Sequence, residues 1–62
     1  MDGVRGTAYS LLKELADTIS KHEAPEYFFI HDELINMFNQ DRCQAVMIMA
    51  VILIERIQNE AK

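Results

Sequence analysis

Residues 45–54 read AVMIMAVILI, ten consecutive side chains that contain no polar atom except thioether sulfur. Such an apolar run is compatible with either a buried strand or a buried helix. Length decides between them, because the chain continues from Arg42 to Glu60 without glycine or proline. We therefore predict a helix of about five turns over this segment, with Asn39 or Asp41 as its N-cap.

The same run is too short to cross a membrane. Ten residues of helix span about 15 Å, which is half of the ~30 Å thickness of a hydrocarbon core. Charged residues close the run at both ends, with Asp41 and Arg42 before it and Glu55 and Arg56 after it. We expect no membrane span and no membrane partner.

A helical wheel divides this predicted helix into two apolar sides. One stripe is the expected core face, flanked by Met49 and Ile54, and it comprises Cys43, Val46, Ala50, Leu53 and Ile57. The other side carries four further apolar residues, Met47, Ile48, Val51 and Ile52. A helix that is apolar all round is normally buried all round, so the second set needs a covering partner.

The first segment, from Val4 to Lys21, has the spacing of an amphipathic helix. Its apolar residues recur at helical intervals and fall on one side of the wheel; they are Val4, Ala8, Leu11, Leu12, Leu15, Ala16 and Ile19. This helix has one dry face, which a single neighbour can cover. We expect it to pack antiparallel against the last helix.

The middle segment leaves two alternatives open. Residues 27–30 (YFFI) have the composition of a strand, but a lone strand has no pairing partner. We interpret them either as an extended connector with aromatic anchors or as the first turn of a helix that starts at Pro25. From His31 onward the sequence is typical of a short helix, with its acids in the first turn.

Length and composition together predict assembly. The chain has 62 residues, enough for one domain, and half of them are hydrophobic. A chain this short buries only ~60% of its unfolded surface. We predict an all-α fold, a helical hairpin or three-helix chain over residues 1–62 with two long helices and one short one. Its core is completed by oligomerisation into a helical bundle, a homodimer or higher.

The predicted oligomer interface is the second apolar set of the last helix, Met47, Ile48, Val51 and Ile52. Exposed apolar patches of this kind mark interaction sites. The alternative is a self-sufficient monomer, in which large aromatic side chains fold over this set. The aromatic residues available for that are Tyr27, Phe28, Phe29 and Phe38.

Charge indicates a second candidate surface. The net charge of −4 argues against direct nucleic-acid binding. Between His22 and Asp41 there are five acids, no lysine or arginine, and every aromatic residue except Tyr9. Such a segment could dock onto a basic groove of a partner protein; its candidate residues are Glu23, Glu26, Tyr27, Phe28, Asp32 and Glu33. The alternative is a solvated segment whose aromatic side chains point inward.

Residues that could support chemistry form no compact motif. Six potential metal ligands fall within twelve residues, but their spacing matches no metal motif; they are His22, Glu23, Glu26, His31, Asp32 and Glu33. Cys43 lies on the predicted core stripe, and His31 is the only nearby base. No phosphate loop or nucleophile elbow is visible. We expect no cofactor, no metal and no enzymatic activity.

These observations predict a small interaction or regulatory protein that binds another macromolecule as a homodimer. Two alternatives remain: an acidic inhibitor that occupies a basic, nucleic-acid-binding site of a partner protein, and a small obligate subunit of a larger assembly. The single cysteine, and the lack of a basic N-terminal region followed by an apolar run, favour a cytoplasmic location.

Overall fold

The computed structural model describes residues 3–61. Three α-helices make up the fold, namely α1 (Gly3–Lys21), α2 (Phe28–Asn39) and α3 (Cys43–Glu60), and a short 3-10 helix (Pro25–Tyr27) precedes α2. No strand occurs in this range, so the predicted all-α class with two long helices and one short one is confirmed. None of the helices in the described range combines the length and apolar character of a membrane span.

The middle segment is helical, and the alternative of an extended connector is wrong. Pro25 opens the 3-10 helix, and α2 follows directly at Phe28. Proline suits this position because its fixed φ matches a helical turn and its missing N–H would have no partner there. The acids Asp32 and Glu33 therefore lie in the second turn of α2 instead of its first.

Helices α1 and α2 end in the same way. Glu23 (φ 52°) and Asp41 (φ 60°) adopt left-handed backbone conformations. In both turns the N–H of the next residue donates to the carbonyl oxygen five residues earlier, at 3.0 Å. This is the hydrogen bond of a Schellman motif. In that motif, glycine normally occupies the left-handed position. The two sharp turns are what bring three helices of so short a chain into contact.

The predicted N-cap of α3 is wrong. Asp41 belongs to the left-handed turn, and Asn39 is the last residue of α2. Arg42 stands at the N-cap position without a side-chain capping bond. The carboxylate of Asp41 is instead engaged by α1, because Arg5 Nη1 lies 2.8 Å from Asp41 Oδ1.

Helices α1 and α3 run parallel, so the predicted antiparallel packing is wrong. The Arg5–Asp41 ion pair joins the start of α1 to the residue just before α3. At the other end, His22 and Ile57 line one small cavity, which places the two C-terminal ends together. The reason is that α2 is long enough to return the chain along the bundle, and α3 then repeats the direction of α1.

The core lies mainly between α1 and α3. It consists of Ala8, Leu12, Leu15 and Ile19 of α1, Leu34 of α2, and Cys43, Val46, Ala50, Leu53, Ile54 and Ile57 of α3. All five residues of the predicted core stripe of α3 are buried, which confirms that face. Thr18 is the buried polar residue, and its Oγ1 donates to the carbonyl oxygen of Glu14 at 2.8 Å.

Helix α2 runs antiparallel to α1 and closes one side of this core. His31 Nε2 lies 3.0 Å from the carbonyl oxygen of Leu12, which ties the two helices together. Further along, the rings of Tyr9 and Phe38 lie 6.3 Å apart between their centroids. Helix α2 buries only Leu34 completely, so most of its surface remains available to solvent.

Candidate interaction surfaces

The first surface is the side of α3 that faces away from the core. Its apolar residues, here called the α3 outer face, are Ile48, Met49, Val51 and Ile52, which are 62%, 39%, 42% and 52% exposed. At 100° per residue, Ile48 and Ile52 lie opposite the fully buried Ala50. Helices α1 and α2 pack on the other side, so no element of residues 3–61 covers this face.

The predicted interface differs from this face by one residue. Ile48, Val51 and Ile52 are exposed as expected, whereas Met47 is half-buried and packs against the core. Met49, assigned to the flank of the core face, is exposed instead.

Aromatic side chains do not cover the α3 outer face. Phe28 is 39% exposed and Phe29 is 83% exposed, both on α2. Tyr27 is half-buried, and its hydroxyl donates to Glu60 Oε1. Phe38 is half-buried beneath the guanidinium group of Arg5, whose Cζ lies 4.3 Å from the ring centroid. The alternative in which these rings cover the outer face is therefore wrong.

The second surface is the acidic and aromatic segment. Of its six predicted residues, Tyr27 is half-buried and the other five are exposed, namely Glu23, Glu26, Phe28, Asp32 and Glu33. They form two groups. Glu23 and Glu26 line a cavity at the C-terminal end of α3. Phe28, Asp32 and Glu33 lie along α2. Phe29, the most exposed large hydrophobic residue described, is missing from the predicted set although it lies one turn before Asp32.

The Tyr27–Glu60 contact has an electrostatic consequence. The hydrogen bond to Glu60 raises the pKa of the Tyr27 phenol above 10.0, and desolvation and the negative charge of Glu60 act in the same direction. Arg56 Nε lies 3.6 Å from Glu60 Oε1 and partly offsets this effect. The Tyr27–Glu60 hydrogen bond links the 3-10 helix to the last turn of α3 and therefore has a structural role.

The third surface is a groove between α1 and α2, which the sequence analysis missed. Its volume is about 320 Å³. Its lining consists of Tyr9, Leu12, Lys13 and Ala16 of α1 together with His31, Ile35, Phe38 and Asn39 of α2. The spacing of Tyr9, Lys13 and Ala16 along one edge of the buried stripe of α1 was the available signal.

The described residues do not assemble a metal centre or a nucleophile–base pair. In residues 3–61, no group of three or more His, Cys, Asp or Glu side chains is placed to hold a metal ion. Cys43 is buried at the start of α3. The ring of His31 instead contacts the Leu12 carbonyl and, at 6.2 Å between centroids, the edge of Phe28. Both side chains that could have formed a catalytic pair thus have structural contacts.

Comparison with known proteins identifies no relative. No family model, no curated protein and no solved structure matches this chain. A functional proposal therefore depends on the three surfaces described above. The α3 outer face is the most apolar of them, the acidic segment of α2 is the most charged, and the groove between α1 and α2 is the most concave.

Proposed function

We propose that this chain is a non-enzymatic interaction protein that works as a homodimer joined through the α3 outer face. The observation that supports this function is the exposure of Ile48 and Ile52, 62% and 52%, at the centre of an apolar face. Removing such side chains from water stabilises an association by roughly 25 cal/mol per Å² of apolar area. A domain with a small hydrophobic core gains much of its stability from such an association.

A second copy fits this face because the face is self-complementary. In an antiparallel pair of α3 helices, a two-fold axis at the level of Ala50 places Ile48 of one copy against Ile52 of the other. In a parallel pair, Glu55 would face Glu55 of the second copy, and such like charges repel. The antiparallel arrangement is therefore the one we propose.

The dimer must bury more than these four side chains. A stable interface of ordinary size covers about 800 Å² on each partner, which is about a fifth of the 4288 Å² surface of the chain. The contact therefore extends along α3 beyond the apolar centre, toward Gln44 at one end and Glu55 at the other. These polar ends form the rim that surrounds an apolar interface centre.

Sedimentation equilibrium at micromolar concentration tests this proposal. We expect a dimer for the natural chain and a monomer for Ile52→Lys, because a lysine in the centre of the interface would have to lose its hydration. Ser10→Lys is the matched control, since it adds the same charge to an exposed position of α1, away from α3, and should leave the dimer intact. Circular dichroism verifies that both variants remain helical.

A monodisperse monomer of the natural chain with a cooperative melt would overturn the homodimer. If the chain is instead unfolded or aggregated when purified alone, the alternative of an obligate subunit gains support, because the α3 outer face would then need a different chain. A dimer that persists in Ile52→Lys would place the interface on another surface.

A second candidate function is docking of α2 onto a basic site of a partner protein. Phe29 favours it, because a phenylalanine that is 83% exposed contributes little to the core. Asp32 lies one turn further along the same helix, and Glu33 follows it. An exposed aromatic ring beside carboxylates suits a groove lined with lysine or arginine, where the ring supplies apolar contact and the acids supply attraction.

Affinity capture from the native cell tests this candidate when it is done with variants. A protein that binds the natural chain should be lost with Phe29→Ala and with Asp32→Lys/Glu33→Lys. Asp17→Lys is the control, because it reverses an exposed acid of α1, on a different helix. Equal capture by all four proteins would refute docking through α2.

A further inference from the structure

The groove between α1 and α2 is a separate concave surface with an apolar floor. Tyr9, Leu12 and Ala16 form its α1 side, and Ile35 and Phe38 form its α2 side. Tyr9 is 51% exposed and Ile35 is 39% exposed, so two large apolar side chains remain in contact with water here. The groove involves no residue of α3 and is therefore independent of the proposed dimer contact.

The floor of the groove is held in place by contacts on both sides. His31 Nε2 lies 3.0 Å from the Leu12 carbonyl oxygen, which fixes the spacing of the two helices. At the end of the groove, Arg5 covers the ring of Phe38 at 4.3 Å and is ion-paired with Asp41 at 2.8 Å. Because these contacts fix the groove in advance, an occupant pays little of the ordering cost that binding to a mobile surface requires.

Among the described residues that line the groove, the one charged side chain is basic, although the chain as a whole is acidic. Lys13 lines the groove and no aspartate or glutamate does. Its Nζ lies 5.7 Å from the centroid of the Tyr9 ring, and within residues 3–61 it forms no ion pair with a carboxylate. In a protein of net charge −4, this position favours an occupant with a carboxylate near its apolar contacts.

The shape of the groove indicates a helix as the occupant. The groove is open to solvent along its length, whereas a site for a small molecule encloses most of its ligand. Two packed antiparallel helices present parallel ridges, and a further helix can pack its own side chains between them. Apolar residues of the occupant at positions i, i+4 and i+7 would contact Tyr9, Ile35 and Phe38.

We propose that the groove between α1 and α2 binds an amphipathic helix of a partner protein that carries an aspartate or glutamate beside its apolar face, paired with Lys13. This site lies outside the α3 outer face, so the chain can hold this helix while it is dimeric. A negative result for helix binding would leave the proposed homodimer unaffected. A negative result for the homodimer would likewise leave this site unaffected.

A display library of amphipathic helical peptides, selected on the natural protein, tests the proposal. We expect enrichment of sequences with apolar residues at i, i+4 and i+7 and an acid at one adjacent position. The best peptide is then measured by fluorescence anisotropy beside a copy whose acid is replaced by lysine. We expect the acidic peptide to bind roughly fivefold more tightly, which is the upper end for an exposed ion pair.

Three variants assign the binding to the groove. Lys13→Glu, an exposed substitution on α1, should reverse the preference between the two peptides. Ile35→Ala should weaken both, because it removes apolar contact from the floor. Ile30→Ala, a comparable truncation on α2 at a residue that is 40% exposed and lies outside the groove, should change neither affinity, and circular dichroism confirms that each variant is folded.

Several results would overturn the proposal. One is the absence of any enriched helical sequence; another is a peptide whose binding is unaffected by both Lys13→Glu and Ile35→Ala. Loss of binding in Ile30→Ala would place the peptide on another side of α2. Conversion of the natural dimer to a monomer by Ile35→Glu would show that a second copy of the chain occupies the groove.

Discussion

Arg5 Nη1 of α1 lies 2.8 Å from Asp41 Oδ1 in the turn that leads into α3. The guanidinium carbon of the same arginine lies 4.3 Å from the centroid of the Phe38 ring on α2. One side chain therefore contacts all three parts of the fold at one end of the bundle. The ion pair is largely exposed, so we expect it to contribute at most about 1 kcal/mol. Its value is that it identifies which helix ends lie together, namely the start of α1 and the turn before α3.

Replacing Glu23 and Asp41, the two left-handed residues, by glycine should separate the energetic cost of backbone strain from the contribution of the Arg5–Asp41 ion pair. Glu23→Gly should raise the free energy of unfolding by about 1 kcal/mol, because a side chain in the left-handed region costs about 1–2 kcal/mol and glycine avoids it. Asp41→Gly should gain less, since it relieves the same strain but removes the partner of Arg5. Urea unfolding measures both, and a larger gain for Asp41→Gly would contradict this account.

The parallel arrangement of α1 and α3 can be measured by distances between spin labels. In a Cys43→Ala background, labels at Ser20 and Gln58 should be closer than labels at Thr7 and Gln58. Positions 7 and 20 are about 20 Å apart along the helix axis; with the helix axes about 10 Å apart, the second distance should be the longer by roughly 10 Å. All three labelled positions are exposed. The opposite order of distances would mean that the two helices are antiparallel.

A truncation in the core should be costly for so short a chain. Leu15 is 0% exposed, and Leu15→Ala should lower the free energy of unfolding by about 2–5 kcal/mol through lost burial and a cavity. Domains have about 0.05–0.15 kcal/mol of stability per residue, so this loss is a large fraction of the total. Leu11→Ala is the matched control, because Leu11 is half-buried on the same helix; equal losses would argue against the described core.

The Tyr27–Glu60 hydrogen bond predicts a pH dependence at the alkaline end. In a Tyr9→Phe background, Tyr27 is the only tyrosine, and its ionisation can be followed by ultraviolet absorbance. Its midpoint should lie above 10.0 and should fall when Glu60→Gln removes the carboxylate. Because the folded state holds this proton more tightly, the stabilisation is present below the unfolded pKa and is lost as pH rises through the folded pKa. Identical midpoints for both proteins would refute the contact.

The core could be predicted from the sequence because helical periodicity determines which residues share a face. Cys43, Val46 and Ala50 were placed on the buried stripe by spacing alone, and all are buried. The direction of α3 could not be predicted in this way, since spacing is unaffected by reversing a helix. It depends on whether residues 27–30 form a helical turn or an extended connector, and the strand-like composition of that segment does not indicate the helical turn that is found.

The candidate surfaces were predicted less well than the core. The helical wheel correctly places Ile48 and Ile52 on the exposed side of α3. It includes the half-buried Met47 in place of the exposed Met49, because the boundary of a face depends on where the neighbouring helix packs. The groove between α1 and α2 was missed for a related reason. Tyr9 and Ile35 are distant in sequence, and only the return of α2 along α1 brings them to one surface.

The parallel arrangement of α1 and α3 also makes the molecule an electric dipole. The peptide dipoles of the two long helices add, and the shorter α2 cancels only part of their sum. Side-chain charges reinforce the effect. At the positive end Arg5 and Arg42 outnumber Asp41, and at the other end Glu23, Glu26 and Glu60 outnumber Lys21 and Arg56. Two such molecules side by side are attracted when they point in opposite directions. In the proposed dimer, this field would favour the antiparallel approach of the second copy.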